Sequence, residues 1–336
     1  MVMPWLRIVL VAGVAAGLSA CGRNNGGPTS PTQSSVNQAV DGVPSGTLQL
    51  KVSPIDTSEI RFITPLGNLN PPSHTTPTDH IYFYFANPTN EQPAARRMEF
   101  RAPGDGVVTT VLGGVGQESK VFVRQTSTFI YYLDHLILTT PLERNSRITA
   151  GQVLGTTGNA YGIDLGVIND ALTVNFVAPS RYIYDTIHTD APLKYFQEPL
   201  RSDLYARVQR MGSDRDGRID YDIAGRLAGN WFITGQNAAA AFAYDTYDPS
   251  RVVISVGAGT LQGVFGIAAS DPAPRDVSVA SGRVLYSLIR SITGPISPQD
   301  VSGYMLVQMT DDTHIRMETF ATRPSDFTAA AGAFAR

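Results

Sequence analysis

Residues 129–138 read FIYYLDHLIL, a run of β-branched, aromatic and aliphatic residues interrupted by one aspartate and one histidine. A short run of this composition is typical of a β-strand. Similar runs recur on both sides of it, each bounded by Gly, Pro, Asn or Thr: HIYFYF at 80–85, KVFVRQ at 120–125 and IDLGVI at 163–168. Many short strands and few helical periods predict an antiparallel β region from Gly46 to about Pro179.

A second set of strand-like runs follows a segment of different character. Residues 191–225 carry Leu200, Leu204 and Val208 at four-residue spacing, which predicts a connecting helix. Beyond it, six runs have strand patterns, at 251–256, 260–267, 276–279, 283–289, 303–310 and 313–320. The chain is therefore predicted to be all-β and mainly antiparallel, with a first β domain at 49–190, a helical connector at 191–225 and a small β-barrel or sandwich at 226–336.

The charge balance excludes one broad class of function. The 336 residues include 26 Lys and Arg against 29 Asp and Glu, for a formal net charge of -3. A nucleic-acid-binding protein normally carries a clear excess of positive charge, so no nucleic-acid partner is expected. With 43% hydrophobic residues the chain can build real cores, which excludes bulk disorder.

The first 21 residues, MVMPWLRIVLVAGVAAGLSAC, have the layout of a secretory signal. The apolar run from Ile8 to Leu18 is too short to span a bilayer as a helix. Residues 18–21, LSAC, resemble the lipobox of bacterial lipoproteins, and Cys21 is the only cysteine. The resemblance implies a signal peptide at 1–20, lipid on Cys21, and anchoring in the bacterial cell envelope, facing the periplasm or the cell exterior. An ordinary signal peptide ending in small residues is the alternative.

Residues 21–48 are rich in Gly, Pro, Ser and Asn and nearly free of large apolar residues. This composition predicts a flexible tether between the anchor and the first β domain.

Three of the five histidines, His74, His80 and His135, lie in the first β region. His74, Asp79 and His80 stand within seven residues of a Pro-rich segment that leads into a strand. Zinc favours nitrogen and oxygen ligands of this kind, and the prolines restrict the backbone, so little ordering would accompany binding. The alternative is that His74 and Asp79 cap turns while His80 packs at a strand edge.

Four further elements follow this loop in order: APGDGVV at 102–108, YLDHL at 132–136, TAGQVLGTTG at 149–158 and GIDLGV at 162–167. Read together, the loop and these elements resemble the lysostaphin-type (LytM-like) zinc endopeptidases, which cut the peptides of peptidoglycan. The resemblance covers about residues 60–170, and its most specific part is the AGQVLGTTG element after a strand that carries His-Leu.

The resemblance implies a zinc site formed by His74, Asp79 or His80, and Asp164, with His135 as a catalytic imidazole. Two departures weaken the match. Four residues instead of three separate His74 from Asp79, and the family's His-Leu-His is replaced here by Gly162-Ile163-Asp164. One ligand would thus be Asp164, and the catalytic histidine expected at Gly162 is missing, so the resemblance leaves open whether the domain is an active or a degenerate peptidase.

Three functions are compatible with these patterns. The first is a cell-wall metalloendopeptidase, or its weakly active descendant, acting on peptidoglycan. The second is a non-catalytic protein that binds wall peptides or activates another hydrolase, which Gly162 and Asp164 favour. The third is a carrier of a small apolar ligand in the C-terminal module, because Gly229-Asn230-Trp231 resembles the opening of lipocalin barrels and Arg316 stands where their Trp-packing arginine does.

The lipobox makes a direct prediction about anchoring. Cys21→Ser removes the only thiol that could carry lipid, so the variant should stay unprocessed or be released in soluble form. Metabolic labelling with a fatty-acid analogue and membrane fractionation measure this. A mature amino terminus beyond Cys21 in the wild type would contradict it.

Overall fold

The computed structural model describes residue 36 and residues 39–87, 89–233, 238–290 and 300–336. The predicted signal peptide at 1–20, the lipidation site Cys21 and most of the predicted tether at 21–48 lie outside these residues. Within the described ranges, no helix combines the length and the apolar character needed to cross a membrane.

The first part of the described chain forms a sheet of ten antiparallel strands, in which β1, β2, β9, β6, β5, β4 and β7 are successive neighbours, while β10 pairs with β9, and β8 pairs with both β6 and β3. The strands are β1 (Ile60–Thr64), β2 (Ile81–Phe85), β3 (Glu99–Arg101), β4 (Gly106–Leu112), β5 (Glu118–Arg124), β6 (Phe129–Leu138), β7 (Arg147–Ile148), β8 (Val153–Thr157), β9 (Gly162–Asn169) and β10 (Thr189–Asp190). The predicted all-β class is confirmed.

The two faces of this sheet differ in character. On β2, Ile81, Phe83 and Phe85 belong to the main hydrophobic core. Tyr82 and Tyr84 alternate with them, stack on each other at 5.9 Å between ring centroids, and face the opposite side. The side chains of β2 thus alternate between the two faces of the sheet, and the polar face is the one that carries the candidate site.

Strand β6 contains a β-bulge at the candidate site. Asp134 and His135 of β6 lie opposite a single residue of β5, Lys120. His135 has a φ of 65°, while Leu133 and Leu136 on either side both belong to the core. Strict alternation would place Asp134 on the polar face but His135 on the core face together with Leu133, so the bulge is what turns His135 to the polar face as well.

The glycines of the AGQVLGTTG element allow β8 to approach β6 at this bulge. A β-carbon at Gly155 would lie 2.0 Å from the carbonyl oxygen of Ile137, and one at Gly158 would lie 2.6 Å from that of His135. No side chain fits at these distances. The most specific part of the sequence motif therefore serves the backbone packing that holds the His135 bulge.

The second part of the described chain forms a closed barrel of eight strands in sequential order. The strands are β11 (Gly229–Ile233), β12 (Ala238–Tyr244), β13 (Val252–Val256), β14 (Gly263–Ile267), β15 (Arg283–Ile289), β16 (Val301–Met309), β17 (His314–Phe320) and β18 (Gly332–Ala335). Large side chains fill its interior, among them Trp231, Phe242, Phe265 and Tyr286.

The barrel differs from the sequence prediction in its strand count. Strands β11, β12 and β18 were not predicted, and β12 reads AAAAFAY, a run rich in alanine, which has a low strand propensity. The strand predicted at 276–279 is wrong: the 3-10 turns Pro274–Asp276 and Val279–Ser281 occupy this region instead. Small residues suit β12 because both faces of this strand are buried, at Ala240, Ala241 and Ala243.

The packing partner predicted for Trp231 is also wrong. Arg316 lies over Phe327 on the exposed surface. Arg336 instead lies over Trp231, with its guanidinium carbon 4.3 Å from the ring centroid, and donates to the carbonyl oxygen of Ala228 at 2.9 Å. Its other amine group donates to two more carbonyl oxygens of the segment that leads into β11. The residue that follows β18, Arg336, therefore closes this end of the barrel.

The segment predicted as a helical connector contains little helix. Within 191–225 the structure has the helix Leu200–Ala206 and the 3-10 turn Pro192–Tyr195. One further short helix, Tyr184–Ile187, precedes it, and 3-10 turns occur at Thr57–Glu59, Pro93–Ala95 and Pro179–Arg181. The other residues of 191–225 are irregular apart from isolated bridges, because their polar groups bond locally, as when Arg218 bonds Asp220 at 2.8 Å.

Replacing the closing arginine should destabilise the barrel. Arg336→Met leaves buried carbonyl oxygens without donors, so the free energy of unfolding should fall by about 2–3 kcal/mol. Urea unfolding measures it. The matched control is Arg316→Met, which should change stability by less than about 0.5 kcal/mol; equal effects of the two variants would refute the assignment.

Candidate functional site

The candidate residues converge on the polar face of the first sheet. Asp164 on β9 pairs directly with Tyr82 on β2 and with Asp134 on β6. His80 stands just before β2, and the bulge brings His135 to the same face. The structure thus brings together His74, Asp79, His80, His135 and Asp164, which lie up to 90 positions apart in the sequence, and it places Asp164 on the same face as His135, as expected.

Two of the imidazoles are each held by a carboxylate. His80 Nδ1 lies 2.9 Å from Asp79 Oδ1, and His135 Nδ1 lies 2.7 Å from Glu118 Oε1. In the neutral form each Nδ1–H donates to its carboxylate, which fixes the tautomer and leaves the lone pair on Nε2. This carboxylate–imidazole arrangement is the one that commonly orients metal-binding histidines.

Both Nε2 atoms lie near the Asp164 carboxylate. Asp164 Oδ2 lies 3.4 Å from His80 Nε2 and 3.5 Å from His135 Nε2. Asp164 Oδ1 is buried and has no hydrogen-bond partner among the described residues. Two imidazole nitrogens therefore lie beside one buried carboxylate, and a proton or a metal ion near them would offset the cost of burying its charge.

The pKa shifts agree with this arrangement. Burial raises the pKa of Asp164, although His80 and His135 oppose the shift. Burial alone would lower the pKa of His80, but the carboxylates of Asp164 and Asp79 outweigh it, and the pKa is raised. Asp164 and His80 therefore retain protons more strongly than the isolated groups would, as expected where a metal ion could replace a proton.

His74 is the third imidazole of the groove. Its ring centroid lies 5.5 Å from that of His80 and 6.2 Å from that of Tyr82. Burial, together with the neighbouring His80, lowers the pKa of His74 to about 4. His74 is thus neutral at physiological pH, the state in which an imidazole can bind a metal.

Asp79 is engaged by several donors besides His80. The Tyr132 hydroxyl donates to Asp79 Oδ1 at 3.0 Å, and the Thr186 hydroxyl donates to Asp79 Oδ2. Although burial opposes ionisation, the His80 hydrogen bond and charge lower the pKa of Asp79 far below its usual range. Of the two ligands that the sequence left open, His80 therefore has the Nε2 that faces Asp164, while Asp79 orients His80.

The donor set suits zinc in its chemistry: imidazole nitrogens and one carboxylate, with a buried oxygen that lacks a donor. Among the described residues, no group of three or more His, Cys, Asp or Glu side chains is placed so that it could hold a metal ion as the side chains stand. One cause is visible at His80, where Nε2 lies 2.9 Å from the Tyr82 hydroxyl. A metal ion would have to displace that hydroxyl.

Sequence reasoning missed the partners that surround these side chains. Glu118 and Lys120 come from β5, and Thr186 and Asp185 come from the helix Tyr184–Ile187. Lys120 Nζ lies 4.0 Å from the Tyr132 ring centroid and 3.9 Å from Asp185 Oδ2. Thr186 lies 107 positions from Asp79, and no motif or spacing announces such a contact.

Gly162 has a structural reason to be glycine. A β-carbon there would lie 2.9 Å from the carbonyl oxygen of Phe83 on β2, the neighbouring strand. The position where lysostaphin-type enzymes have a histidine is thus packed closely against backbone. A histidine there would require the two strands to shift.

Comparisons with known proteins give only distant structural likenesses. No protein-family model matches the chain, and no curated protein matches it. Solved structures do match. The SpoIIQ–SpoIIIAH pore-forming complex is 13% identical, with a TM-score of 0.32 over 47% of this chain and 96% of that one.

Two other matches are peptidases. A zinc-containing peptidase from Vibrio cholerae is 19% identical, with a TM-score of 0.27 over 36% of this chain and 37% of that one. Pseudoalterin, an M23 metalloprotease from the deep sea, is 13% identical, with a TM-score of 0.28 over 45% of this chain and 88% of that one. Because the TM-scores are this low, the function of the groove has to be argued from its own geometry.

Asp185 gives the groove a measurable pH dependence. Burial raises its pKa to about 6 from 3.8, although Lys120 opposes the shift. A raised pKa means that stability is greatest below the unfolded-state value and is lost as the pH rises through about 6. Asp185→Asn cannot ionise, so it should be more stable than the wild type by on the order of 2–3 kcal/mol at about pH 7.5 and nearly equal to it at about pH 4.

Urea unfolding at the two pH values measures this difference. Asp41→Asn, a substitution at an exposed position, is the control and should show no such divergence. A pH-independent effect of Asp185→Asn would count against the raised pKa.

Proposed function

We propose that this chain is an envelope lipoprotein whose first β unit binds zinc in the polar groove and uses that groove to bind peptidoglycan peptides, with weak hydrolysis at most. The observation that carries the proposal is the convergence of His80 Nε2 and His135 Nε2 on Asp164 Oδ2, at 3.4 and 3.5 Å. The order of motifs shared with lysostaphin-type enzymes supports it, as does the lipobox at Cys21.

His74, His80 and Asp164 are the side chains that would hold the metal. His80 is oriented by Asp79, His74 is neutral at physiological pH, and Asp164 supplies the negative charge. When bound, zinc supplies Lewis acidity toward a carbonyl group and lowers the pKa of a water molecule. Replacing a neutral imidazole by Asp164 makes the centre more negative, which opposes that lowering.

His135 is the group that would move protons. Glu118 fixes its Nδ1–H, and a carboxylate in this position favours the protonated imidazole after a proton is accepted. In agreement, the hydrogen bond from His135 is the main cause that lowers the pKa of Glu118 and keeps it ionised. The chain therefore retains one proton-transfer group beside the metal position.

Binding with little hydrolysis is favoured over full activity by Gly162. Lysostaphin-type enzymes use a second imidazole at this position, and here a β-carbon would lie 2.9 Å from the Phe83 carbonyl oxygen, so that an added side chain would require the strands to shift. Loss of a donor that stabilises the transition state commonly costs about 10²–10³-fold in rate. A non-catalytic role in wall binding, or in activating another hydrolase, is the second candidate and rests on this observation.

The decisive measurement is metal content. The wild-type protein, purified with zinc present at neutral pH, should hold stoichiometric zinc by elemental analysis. Asp164→Asn should weaken zinc binding by at least about 100-fold in chelator competition, because it removes the only negative charge in the proposed donor set. Asp134→Asn, its cross-strand neighbour, is the matched control and should bind zinc nearly as tightly as the wild type.

The same preparations separate the two roles of the groove. Zinc-loaded wild type should bind muropeptides and cleave them slowly or not at all. A zinc-free wild type would defeat the metal site, whereas rapid cleavage that is lost in His135→Ala would defeat only the weak-hydrolysis part of the proposal.

A further inference from the structure

The barrel touches the loop that carries His74. Gly257 directly follows β13, and a β-carbon there would lie 2.0 Å from Thr75 Oγ1 and 3.0 Å from Thr75 Cβ. The barrel backbone therefore lies against the side chain of the residue next to His74. Thr75 is only 3% exposed, so the contact is closed from solvent.

A second contact supports the base of the same loop. The Thr246 hydroxyl, between β12 and β13, donates to the carbonyl oxygen of Gly67. Thr246 is held in turn by Arg210, whose guanidinium donates to the Thr246 carbonyl oxygen at 2.7 Å. Because the Gly67 N–H donates to the Thr78 carbonyl oxygen at 2.9 Å, this support reaches the residue before Asp79.

The outer surface of the barrel agrees with close docking. Ile254 and Val256 of β13 point into the barrel core. Their neighbours Val253 and Ser255 point outward by strand alternation, and both are fully buried. A barrel that stood free in solvent would expose these residues, so this side is covered by the rest of the chain.

Within the loop, Thr75 and His74 have little freedom to move separately. His74 N–H donates to the Asn70 carbonyl oxygen at 2.9 Å, and Asn70 N–H donates back to His74 at 2.8 Å. The Thr75 hydroxyl donates to the Pro72 carbonyl oxygen at 3.3 Å. A displacement of Thr75 would therefore also displace the short loop that holds His74.

We propose that the C-terminal barrel supports the groove, with Gly257 as a positioning residue that fixes the position of His74 through its contact with Thr75. The inference rests on the proposed function in one respect: it takes His74 to be a zinc ligand. It gives the barrel a role that does not depend on any ligand inside it. Gly257 itself does not touch the metal position.

The test is Gly257→Ala in the full chain. Its methyl group would displace Thr75, so zinc binding should weaken by at least about 10-fold in chelator competition, the scale seen when a supporting residue of a metal site is lost. The NMR signal of the His74 imidazole, assigned with His74→Gln, should shift in the zinc-free protein. A purely structural defect would leave that signal in place.

The chain offers a matched control and a rescue. Gly303 is a similarly crowded glycine of the barrel, because a β-carbon there would lie 2.3 Å from Leu261 Cδ1. Its contacts, however, are with other residues of the barrel. Gly303→Ala should therefore cost stability without changing zinc affinity or the His74 signal. Adding Thr75→Ala to Gly257→Ala removes the clashing hydroxyl and should restore most of the affinity, a coupling that independent sites would not show.

The outcomes separate the two proposals. If the wild type binds no zinc, the metal site fails, and the His74 signal of zinc-free Gly257→Ala still decides the positioning role. An unshifted signal, an equal shift in Gly303→Ala, or no recovery in the double variant would overturn that role. If Gly257→Ala does not fold, Thr75→Ala alone carries the test, since loss of the contact should shift the same signal.

Discussion

The Asp164 carboxylate is buried beside two imidazole nitrogens at 3.4 and 3.5 Å, and the rest of the groove is arranged around it. An isolated buried carboxylate is costly, because the protein interior solvates its charge poorly. Here the cost is offset by imidazoles that can carry a proton, and Asp79 and Glu118 orient those imidazoles from behind. The result is an alternating series of carboxylates and imidazoles centred on Asp164.

Backbone geometry, more than side-chain choice, brings this chain of groups together. The bulge at His135 turns the imidazole out of the core, and β8 can support the bulge because glycine at 158 lets it lie against the His135 carbonyl group. At Gly162, close packing against β2 instead disfavours a side chain, because a β-carbon there would lie 2.9 Å from the Phe83 carbonyl oxygen. The same sheet thus forms the groove and disfavours a side chain at position 162.

The barrel also packs closely, both within itself and against the first sheet's His74 loop. Its interior is filled by its own aromatic and aliphatic side chains, and Arg336 closes one end over Trp231. Its outer face at β12 and β13 uses small or β-branched residues, which lets the barrel lie close to the His74 loop. A packed barrel of this kind serves better as a rigid support than as a container, and this agrees with the positioning role inferred for Gly257.

The sequence by itself determined the all-β class and identified His74, Asp79, His80, His135 and Asp164 as one candidate set, because these depend on local composition and on motif order. Only the tertiary structure decided that His80 rather than Asp79 faces Asp164, that Arg336 rather than Arg316 packs on Trp231, and that AAAAFAY forms a strand. Each of these depends on contacts between residues far apart in the chain, or on a one-residue bulge that reverses which face a side chain occupies. Local sequence patterns predict neither long-range contacts nor the position of a bulge.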